Sequence, residues 1–326
     1  MRIADHIRAL MGLVLGAAVA AASLPAAADT YPSRPVRIVS FVPSGSAADA
    51  LLRAMAVEAG RAMGGEFVVD NRPGGSGAVA ATVVRSAAPD GYTLLLAGSS
   101  VMLSGMLRKD GSDPFAGLSP VTQVISTPTA IGLRSDLGAR SIEDLVRLAR
   151  AEPGKISIAT VGQGSYAHVM LELLSRRAGV QFMHVPYPQI GLAITDMVSG
   201  RVDGVFSLLG TMQPQAALGK VTFVGTTGDK RSTVAPSVPT FVEGGYPDLG
   251  VNAWNGLFAP AGTPTAVADR IAAEFARAAR SPKVLELAKT AALEAVASTQ
   301  AEFRNTVAKE RSYWQQVLDE TGVKAQ

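Results

Sequence analysis

Short apolar runs rich in β-branched residues alternate along this chain with segments of helical periodicity. Residues 36–42, 66–70 and 92–97 are such runs, and residues 48–63 and 78–88 between them carry apolar side chains at helical spacing. Strands that alternate with helices form parallel sheets covered by those helices, because each connection must pass over a face of the sheet. This part of the chain is therefore predicted to be an α/β unit.

A second unit of the same kind follows. Apolar runs at residues 155–160, 182–187, 202–207 and 221–226 predict strands, and residues 168–178 predict a helix between the first two. Further helices are predicted to begin after Ser141, a good N-cap, and at residues 192–199, 265–279, 282–290 and 301–320. No period of 20–50 residues repeats, so a solenoid is disfavoured.

Two extended stretches join the units. Residues 121–130 lead from the first unit to the second, and residues 251–259 lead back. A chain that leaves one α/β unit and returns to it builds two lobes with two crossings between them. The sequence therefore predicts two α/β lobes joined by two extended crossings.

The composition is that of a globular chain with a large core. The 326 residues are 48% hydrophobic and 17% charged, with a formal net charge of +3, which does not fit a disordered chain. The basic residues are scattered and only 6% of residues are aromatic, so a nucleic-acid groove is disfavoured. The chain has no cysteine, which excludes thiol catalysis, disulfides, cysteine metal sites and a lipoprotein anchor.

The first 28 residues have the layout of a secretory signal peptide. Arg2 and Arg8 give a positive start, residues 9–22 are apolar, and residues 26–28 are an A-x-A cleavage site. The apolar run of 14 residues is shorter than the roughly 20 residues that span a bilayer. We expect cleavage near Ala28 and a mature protein that is periplasmic and not inserted in the membrane.

The loops that follow the predicted strands contain Gly, Ser and Pro and almost no ionisable side chain. They are residues 43–46, 72–77, 98–100, 162–166 and 186–190. Open parallel sheets bind ligands at the carboxyl ends of their strands. Backbone N–H groups at the helix N-termini that begin there suit an anion, so these loops predict an anion site in a cleft between the lobes.

Motifs for common cofactors are missing or incomplete. Residues 162–167 fit the G-x-G-x-x-A form of the dinucleotide fingerprint, but no acidic residue occurs in residues 182–187, about 20 positions on, to bind a ribose. The phosphate-binding G-x-x-x-x-G-K and the zinc-binding H-E-x-x-H are absent. We expect neither a cofactor nor a metal.

Ser165 and His168 raise the alternative of a hydrolase, with a nucleophile and a base. The G-x-S-x-G nucleophile motif is absent, and a histidine in the first turn of a helix is typical of a structural role. Asp49 occupies a similar place after residues 43–46, where it is expected to hold the loop by backbone hydrogen bonds more than to contact a ligand.

The ordered set of loops resembles the extracytoplasmic receptors of tripartite tricarboxylate transporters, the Bug family. The segments that carry the resemblance run in the family's order over nearly all of the chain beyond residue 30: residues 31–35, 41–49, 71–77, 88–95, 162–165 with His168, 184–187, 236–240 and 257–264. No single segment decides the matter, whereas the ordered set is specific.

The resemblance implies a type II periplasmic-binding-protein fold, in which each lobe is a mainly parallel sheet flanked by helices. Residues 31–125 with 253–326 would form lobe 1, and residues 126–252 would form lobe 2. The implied function is that of a monomeric receptor, not an enzyme, which captures a small organic carboxylate for membrane transporter subunits.

The resemblance also implies that carboxylates are held by backbone N–H groups, hydroxyls and ordered water rather than by arginine pairs. The candidate ligand-binding residues are Pro43, Ser44, Gly45, Ser46, Asp49, Gly75, Ser76, Ser99, Ser100, Gly162, Gly164, Ser165, Tyr166, Tyr187, Gln189 and Ser207.

The chain departs from the family pattern at three cleft positions. Ser44 replaces the first of two glycines, Pro188-Gln189 replaces Lys-Gly, and Ser207-Leu208 replaces Asp-Asn. These changes bear on which solute is bound. Besides the hydrolase, a ligand-sensing subunit of a signalling system remains an alternative to the transport receptor.

Overall fold

The computed structural model describes residues 31–108 and 113–324, and the predicted signal peptide lies outside them. The strands in this part of the chain are β1 (Val36–Ser40), β2 (Phe67–Asn71), β3 (Thr93–Gly98), β4 (Leu118–Thr127), β5 (Thr129–Arg134), β6 (Ser157–Val161), β7 (Met183–Tyr187), β8 (Gly204–Leu208), β9 (Val221–Thr226), β10 (Ala253–Pro260) and β11 (Glu294–Ala295). They form two sheets.

Five strands of the first sheet, from β2 to β4, are arranged in the same way as the five strands of the second sheet, from β7 to β9. The first sheet is β11-β4-β10-β3-β1-β2 and the second is β7-β6-β8-β5-β9. β1, β2 and β3 pair in parallel, as do β6, β7 and β8, whereas β10 and β5 pair antiparallel with both of their neighbours. In each sheet four strands therefore run in the same direction, β1 to β4 in the first and β6 to β9 in the second, and the strand that follows a crossing, β10 or β5, is inserted in the opposite direction.

The helices of the described residues are α1 (Ala47–Met63), α2 (Ala78–Arg85), α3 (Ser99–Met106), α4 (Ile142–Ala151), α5 (Tyr166–Ala178), α6 (Ile190–Val198), α7 (Leu209–Ala217), α8 (Thr265–Ala279), α9 (Pro282–Thr290) and α10 (Gln300–Thr321). Two of them, α3 and α7, are not predicted from the sequence. The sequence instead predicts a loop at residues 98–100, where α3 begins. The others lie within a few residues of their predicted positions.

Helices cover both faces of the first sheet, which explains the unbroken apolar run of β3. Leu94 and Leu96 point into a core that α1 and α8 share through Leu51 and Phe275. Leu95, on the opposite face, belongs to a second core that includes residues of α2, α3 and α10. A strand that is buried on both faces has no solvent-facing position, so its polar residues do not alternate with apolar ones.

The chain changes sheets at Pro128, between β4 and β5. The hydroxyl of Thr227 joins this crossing to the second one, because it accepts the N–H of Thr129 at 3.0 Å and donates to Asn252 Oδ1 at 2.8 Å. The lobe boundary expected at residues 125 and 126 stays a prediction. Within the described ranges, no helix has the length and apolar character needed to cross a membrane.

α10 packs against β10 of the first sheet and against α5, which belongs to the second α/β unit. Gly256 of β10 leaves room for the ring of Phe303 near the start of α10. Further along, Trp314 meets the ring of Tyr166 edge to face, with the ring centroids 5.2 Å apart. Near its end, Glu320 accepts a hydrogen bond from Arg177 of α5 at 2.8 Å. The C-terminal helix thus spans the boundary between the two α/β units.

Candidate functional site

A cavity of about 530 Å³ lies between the two sheets, within the range of roughly 300–1,000 Å³ that is usual for small-molecule sites. Its walls come from the carboxyl ends of strands in both sheets and from the two crossings. The lining residues are Phe41, Val42, Pro43, Ser46, Ala47, Ala48, Ser100, Thr127, Thr129, Val161, Ser165, Tyr166, Ala167, Phe206, Ser207, Leu208, Thr211, Ala253, Trp254, Asn255 and Leu293.

The N-terminus of α1 forms one side of the cavity. Ser46 caps the helix, since its Oγ accepts the N–H of Asp49 at 3.3 Å. The first backbone bond of the helix runs from the N–H of Ala50 to the carbonyl of Ser46. The N–H groups of Ala47 and Ala48 precede that bond, so the helix itself does not satisfy them, and both residues line the cavity.

Asp49 fixes the loop that leads into α1. It is only 2% exposed. One carboxylate oxygen accepts hydrogen bonds from the N–H of Gly45 and from Nε of Arg53, both at 3.0 Å. The other oxygen accepts a hydrogen bond from Nδ2 of Asn71 at 2.8 Å. Burial alone would raise the pKa of Asp49, but hydrogen bonds from Arg53, Asn71 and Gly45 outweigh burial and hold the pKa below its usual value. The carboxylate is thus committed to the protein.

The N-terminus of α5 repeats this arrangement on the other side of the cavity. Ser165 caps the helix by accepting the N–H of His168 at 3.2 Å. The ring Nδ1 of His168 accepts the N–H of Gly164 at 3.0 Å, as Asp49 accepts that of Gly45. The N–H groups of Tyr166 and Ala167 precede the first backbone bond of α5, from Val169 to Ser165. Both residues line the cavity.

The two helix starts make the cavity suitable for an anion. Each presents two backbone N–H groups, a serine hydroxyl and the positive end of a helix dipole. Among the described residues that line the cavity, none is Lys, Arg, His, Asp or Glu. Any attraction for an anion would therefore come from backbone groups and hydroxyls, and the anion site that the charge-poor loops predict stays a prediction.

A polar network lies behind Ser165. Its Oγ is 3.5 Å from Thr160 Oγ1, which is hydrogen-bonded to Nε2 of His184 at 2.7 Å. The His184 ring stacks on that of His168, with centroids 3.9 Å apart. Burial, with a smaller contribution from His168, lowers the pKa of His184 to about 4, so the ring is neutral at neutral pH.

The contacts of His168 do not form a nucleophile–base pair. Nδ1 is occupied by the N–H of Gly164, and Nε2 lies 3.6 Å from Glu172 Oε1. Within the described part of the chain, Ser165 Oγ meets the backbone N–H of His168 rather than its ring. A general base must reach the proton that it removes, and this ring is turned to other partners.

The rear of the cavity is tied to α10 through Trp254. Its backbone N–H donates to Ser99 Oγ at 3.0 Å, and its indole Nε1 donates to Glu310 Oε1 at 2.5 Å. The other oxygen of Glu310 accepts Nε1 of Trp314 at 3.1 Å. Burial raises the pKa of Glu310 to about 7 although both indole hydrogen bonds oppose the change.

The predicted site residues are distributed unevenly around the cavity. Those that line it are Pro43, Ser46, Ser100, Ser165, Tyr166 and Ser207. Gly45, Asp49 and Gly164 lie behind it in the two capping arrangements. Ser44, Gly162 and Gln189 are not among its lining residues. The ligand-contact role of the whole set stays a prediction.

Four more predicted residues have other surroundings. Ser99 accepts the backbone N–H of Trp254, and the hydroxyl of Tyr187 donates to Asp196 Oδ2 at 2.8 Å. Gly75 and Ser76 line a separate cavity of about 410 Å³.

The sequence analysis did not identify the cavity-lining residues of the two crossings. These residues lie in the extended stretches at 121–130 and 251–259, and they are Thr127, Thr129, Ala253, Trp254 and Asn255.

Comparison with known proteins assigns the chain to a family. The family model described as the tripartite tricarboxylate transporter family receptor matches residues 51–323. The chain belongs to this receptor family. The receptor is similar to the protein BugT of Bordetella pertussis, with 31% identity over 322 residues that cover 98% of each chain.

Two solved structures share the fold of the receptor. It is 29% identical to the periplasmic binding protein BugD, with a TM-score of 0.72 over 91% of this chain and all of the other. It is 27% identical to Rpa4515 of R. palustris, solved with adipate, with a TM-score of 0.76 over 91% of this chain and all of the other. These likenesses confirm the predicted two-lobed fold.

Proposed function

We propose that this receptor captures a small organic carboxylate in the periplasm and delivers it to the membrane subunits of a tripartite tricarboxylate-type transporter. One observation carries the proposal. Two serine-capped helix N-termini, those of α1 and α5, face one cavity that no charged side chain lines among the described residues. A carboxylate supplies the negative charge that four backbone N–H groups and two hydroxyls complement.

The relatives support the same class of ligand. Rpa4515 was solved with adipate, and the family is named for a transporter of tricarboxylates. We also propose that residues 31–125 with 253–326 form one lobe and residues 126–252 the other. The lobes close on the solute, because each contributes one of the two helix N-termini.

A thermal-shift panel of organic acids tests the ligand class. A ligand at 100 times its dissociation constant adds about 2.7 kcal/mol to the free energy of unfolding, which raises the melting temperature measurably. Native mass spectrometry of the freshly purified protein would identify a solute that is retained. Stabilisation by no acid, together with hydrolysis of an ester or amide, would favour the hydrolase alternative.

We further propose that the precursor is exported and cleaved near Ala28, with no lipid attached. The sequence pattern of residues 1–28 and the absence of cysteine support this. The intact mass of the periplasmic protein tests it, and we expect a chain that starts near Asp29. A mass that includes residues 1–28 would contradict the proposal.

A further inference from the structure

The two helix starts at the cavity share one pattern, in which a glycine, a capping serine and an acceptor side chain occupy the same relative positions. These residues are Gly45, Ser46 and Asp49 in α1, and Gly164, Ser165 and His168 in α5. In each case the acceptor side chain takes the N–H of the glycine four residues before it, at 3.0 Å. The two patterns differ in their acceptor, which is a carboxylate in α1 and an imidazole nitrogen in α5.

This difference determines the protonation state that each loop requires. Asp49 has a lowered pKa, so its carboxylate remains an acceptor into the acidic range. His168 accepts the N–H of Gly164 through Nδ1, and a ring nitrogen accepts only when it carries no proton, so the single proton of the neutral ring lies on Nε2. Histidine is the side chain whose ordinary titration falls between pH 5 and pH 8.

The surroundings of the His168 ring determine where a second proton goes. Nε2 lies 3.6 Å from Oε1 of Glu172, one turn further along α5. This contact is the main reason why the pKa of Glu172 is lowered, and Arg176 contributes in the same direction, so the carboxylate is ionised at neutral pH. A second proton is therefore added at Nδ1, and Glu172 offsets the buried positive charge that results.

Other titratable groups near the ring do not take up this proton. His184 of β7 stacks on His168, with the ring centroids 3.9 Å apart, and its pKa is about 4, so it stays neutral between pH 8 and pH 6. β6 contributes the neutral hydroxyl of Thr160 to this pair. On the α10 side of α5, the hydrogen bonds of Tyr313 and Glu310 among the described residues join them to groups other than the two histidines.

Protonation of Nδ1 would set two donors, the ring N–H and the N–H of Gly164, against each other across 3.0 Å. A buried donor that loses its acceptor is unfavourable, so the loop that precedes α5 has to move. Ser165, Tyr166 and Ala167 follow Gly164 directly and line the cavity. Building on the receptor function above, we propose that His168 is a positioning residue whose protonation displaces the start of α5, so that the receptor releases its carboxylate as the pH falls.

NMR of the ligand-free protein with ¹⁵N-labelled histidine rings tests the geometry. Beyond the predicted signal peptide the sequence has two histidines, His168 and His184, so a His184→Gln variant assigns the signals. At pH 8 we expect the proton of His168 on Nε2, and on acidification the amide signal of Gly164 should follow the titration of the ring. A proton on Nδ1 at pH 8, a ring that stays neutral down to pH 5, or a Gly164 amide that does not follow the ring would overturn the proposal.

Calorimetry at pH 8 and pH 6 tests the consequence for binding, with adipate, succinate and benzoate as the probes. Carboxyl groups of ordinary acidity are largely ionised at pH 6, so a change in affinity reports on the protein. We expect the affinity of each acid that binds to fall roughly threefold or more at pH 6, with protons released on binding at that pH.

The outcomes separate this inference from the receptor function. An affinity that is unchanged or higher at pH 6 would overturn the role of His168 and leave carboxylate capture intact. Binding of none of the three acids at either pH would count against the receptor function, and the NMR titration would still decide whether His168 controls the loop.

His168→Asn separates the titration of the ring from its position. The amide oxygen of Asn can accept the N–H of Gly164 but does not titrate, so the ratio of affinities at pH 8 and pH 6 should fall to about one. His184→Gln is the matched control, because it removes the stacked ring and leaves His168 in place, and it should keep the wild-type ratio. A wild-type ratio in His168→Asn, or its loss in His184→Gln, would contradict the proposal.

Discussion

At the scale of single residues, Ser46 and Ser165 each serve two purposes. Each caps its helix through Oγ, which accepts the N–H three residues on, and each turns the start of that helix toward the cavity. The hydroxyl hydrogen of Ser46 is left to donate, because the oxygen is the atom used in capping, whereas the hydroxyl of Ser165 donates to Thr160 Oγ1 at 3.5 Å. Each hydroxyl group thus orders its loop and faces the cavity.

Replacing Ser165 with Ala should weaken both functions. The lost cap costs about 1 kcal/mol of stability, and a lost hydrogen bond to a carboxylate costs about 1.5–3 kcal/mol, or roughly a ten- to hundredfold loss of affinity. Calorimetry and urea unfolding measure the two effects. His168→Ala should reduce affinity less, because that ring lies behind the loop.

The matched control for Ser165→Ala is Ser141→Ala. Ser141 caps α4 in the same way, accepting the N–H of Asp144 at 3.3 Å, but it does not line the cavity. We expect a similar loss of stability with unchanged affinity. Unchanged affinity in Ser165→Ala as well would remove this loop from the proposed site.

Asp49→Asn should destabilise the protein in a pH-dependent way. The native pKa of Asp49 is lowered, so its contribution is complete above the ordinary value of about 3.9 and is lost as the pH falls through the native pKa. At pH 7 we expect a loss of about 1–2 kcal/mol, since Arg53 is partly exposed and screened. Urea unfolding at pH 7 and pH 3 measures it, and a difference that does not shrink at pH 3 would contradict this role.

Some of the site follows from local chemistry and some does not. Ser46, Ser165 and Asp49 are predictable because a cap or a first-turn acid acts within four residues along the chain. Trp254 and Leu293 reach the cavity only through the packing of distant segments, which no local pattern reveals. The stacking of the His168 ring on His184 likewise joins two different elements, α5 and β7.

At the scale of elements, α10 connects the cavity to the C-terminal part of the chain. Its Glu310 is 8% exposed and lies between two indole N–H groups, one from Trp254 of β10 and one from Trp314 of α10 itself. A buried carboxyl that has only neutral donors favours its protonated form. The native pKa of about 7 follows from that environment.

Glu310 should make stability fall as the pH rises. Its native pKa of about 7 lies above the unfolded value of about 4.3, so its contribution is complete below the unfolded value and is lost as the pH rises through 7. Relative to Glu310→Gln, the wild type should lose roughly 2–3 kcal/mol between pH 5 and pH 8. Urea unfolding of both proteins tests this, and parallel pH profiles would show that Glu310 does not titrate there.

The elements that the sequence failed to predict have no local helical signal. α3 is buried along most of its length at Val101, Met102 and Leu103, so it shows no polar face. α7 contains Gly210 and Pro214, which disfavour helices in isolation. Tertiary packing decides both, whereas α8 and α9 have amphipathic patterns and match their predicted bounds.

At the scale of the whole molecule, both tryptophans of the chain lie where the two α/β units meet. Trp254 lines the cavity, and Trp314 packs on Tyr166 of the second unit. Ligand entry or closure of the lobes should therefore alter the surroundings of Trp254. The arrangement gives an intrinsic reporter of occupancy.

Titration with an organic acid that stabilises the protein in the thermal-shift panel should produce a saturable change in tryptophan fluorescence. Trp254→Phe should abolish most of the change, because the remaining indole of Trp314 is buried away from the cavity lining. Calorimetry on the same variant shows whether it still binds. A full fluorescence response in a Trp254→Phe variant that binds normally would indicate that Trp314 senses the ligand instead.

The position of β10 also has a consequence for the order in which the chain folds. β10 lies between β3 and β4 and pairs with both, yet it follows the whole second sheet in sequence. The strands of the second sheet all come from residues 129–226, so that sheet can assemble while the first still has a gap at its centre. Non-local pairings of this kind slow folding. Of the first sheet, the chain up to residue 252 contains only β1, β2 and β3 on one side of the gap and β4 on the other.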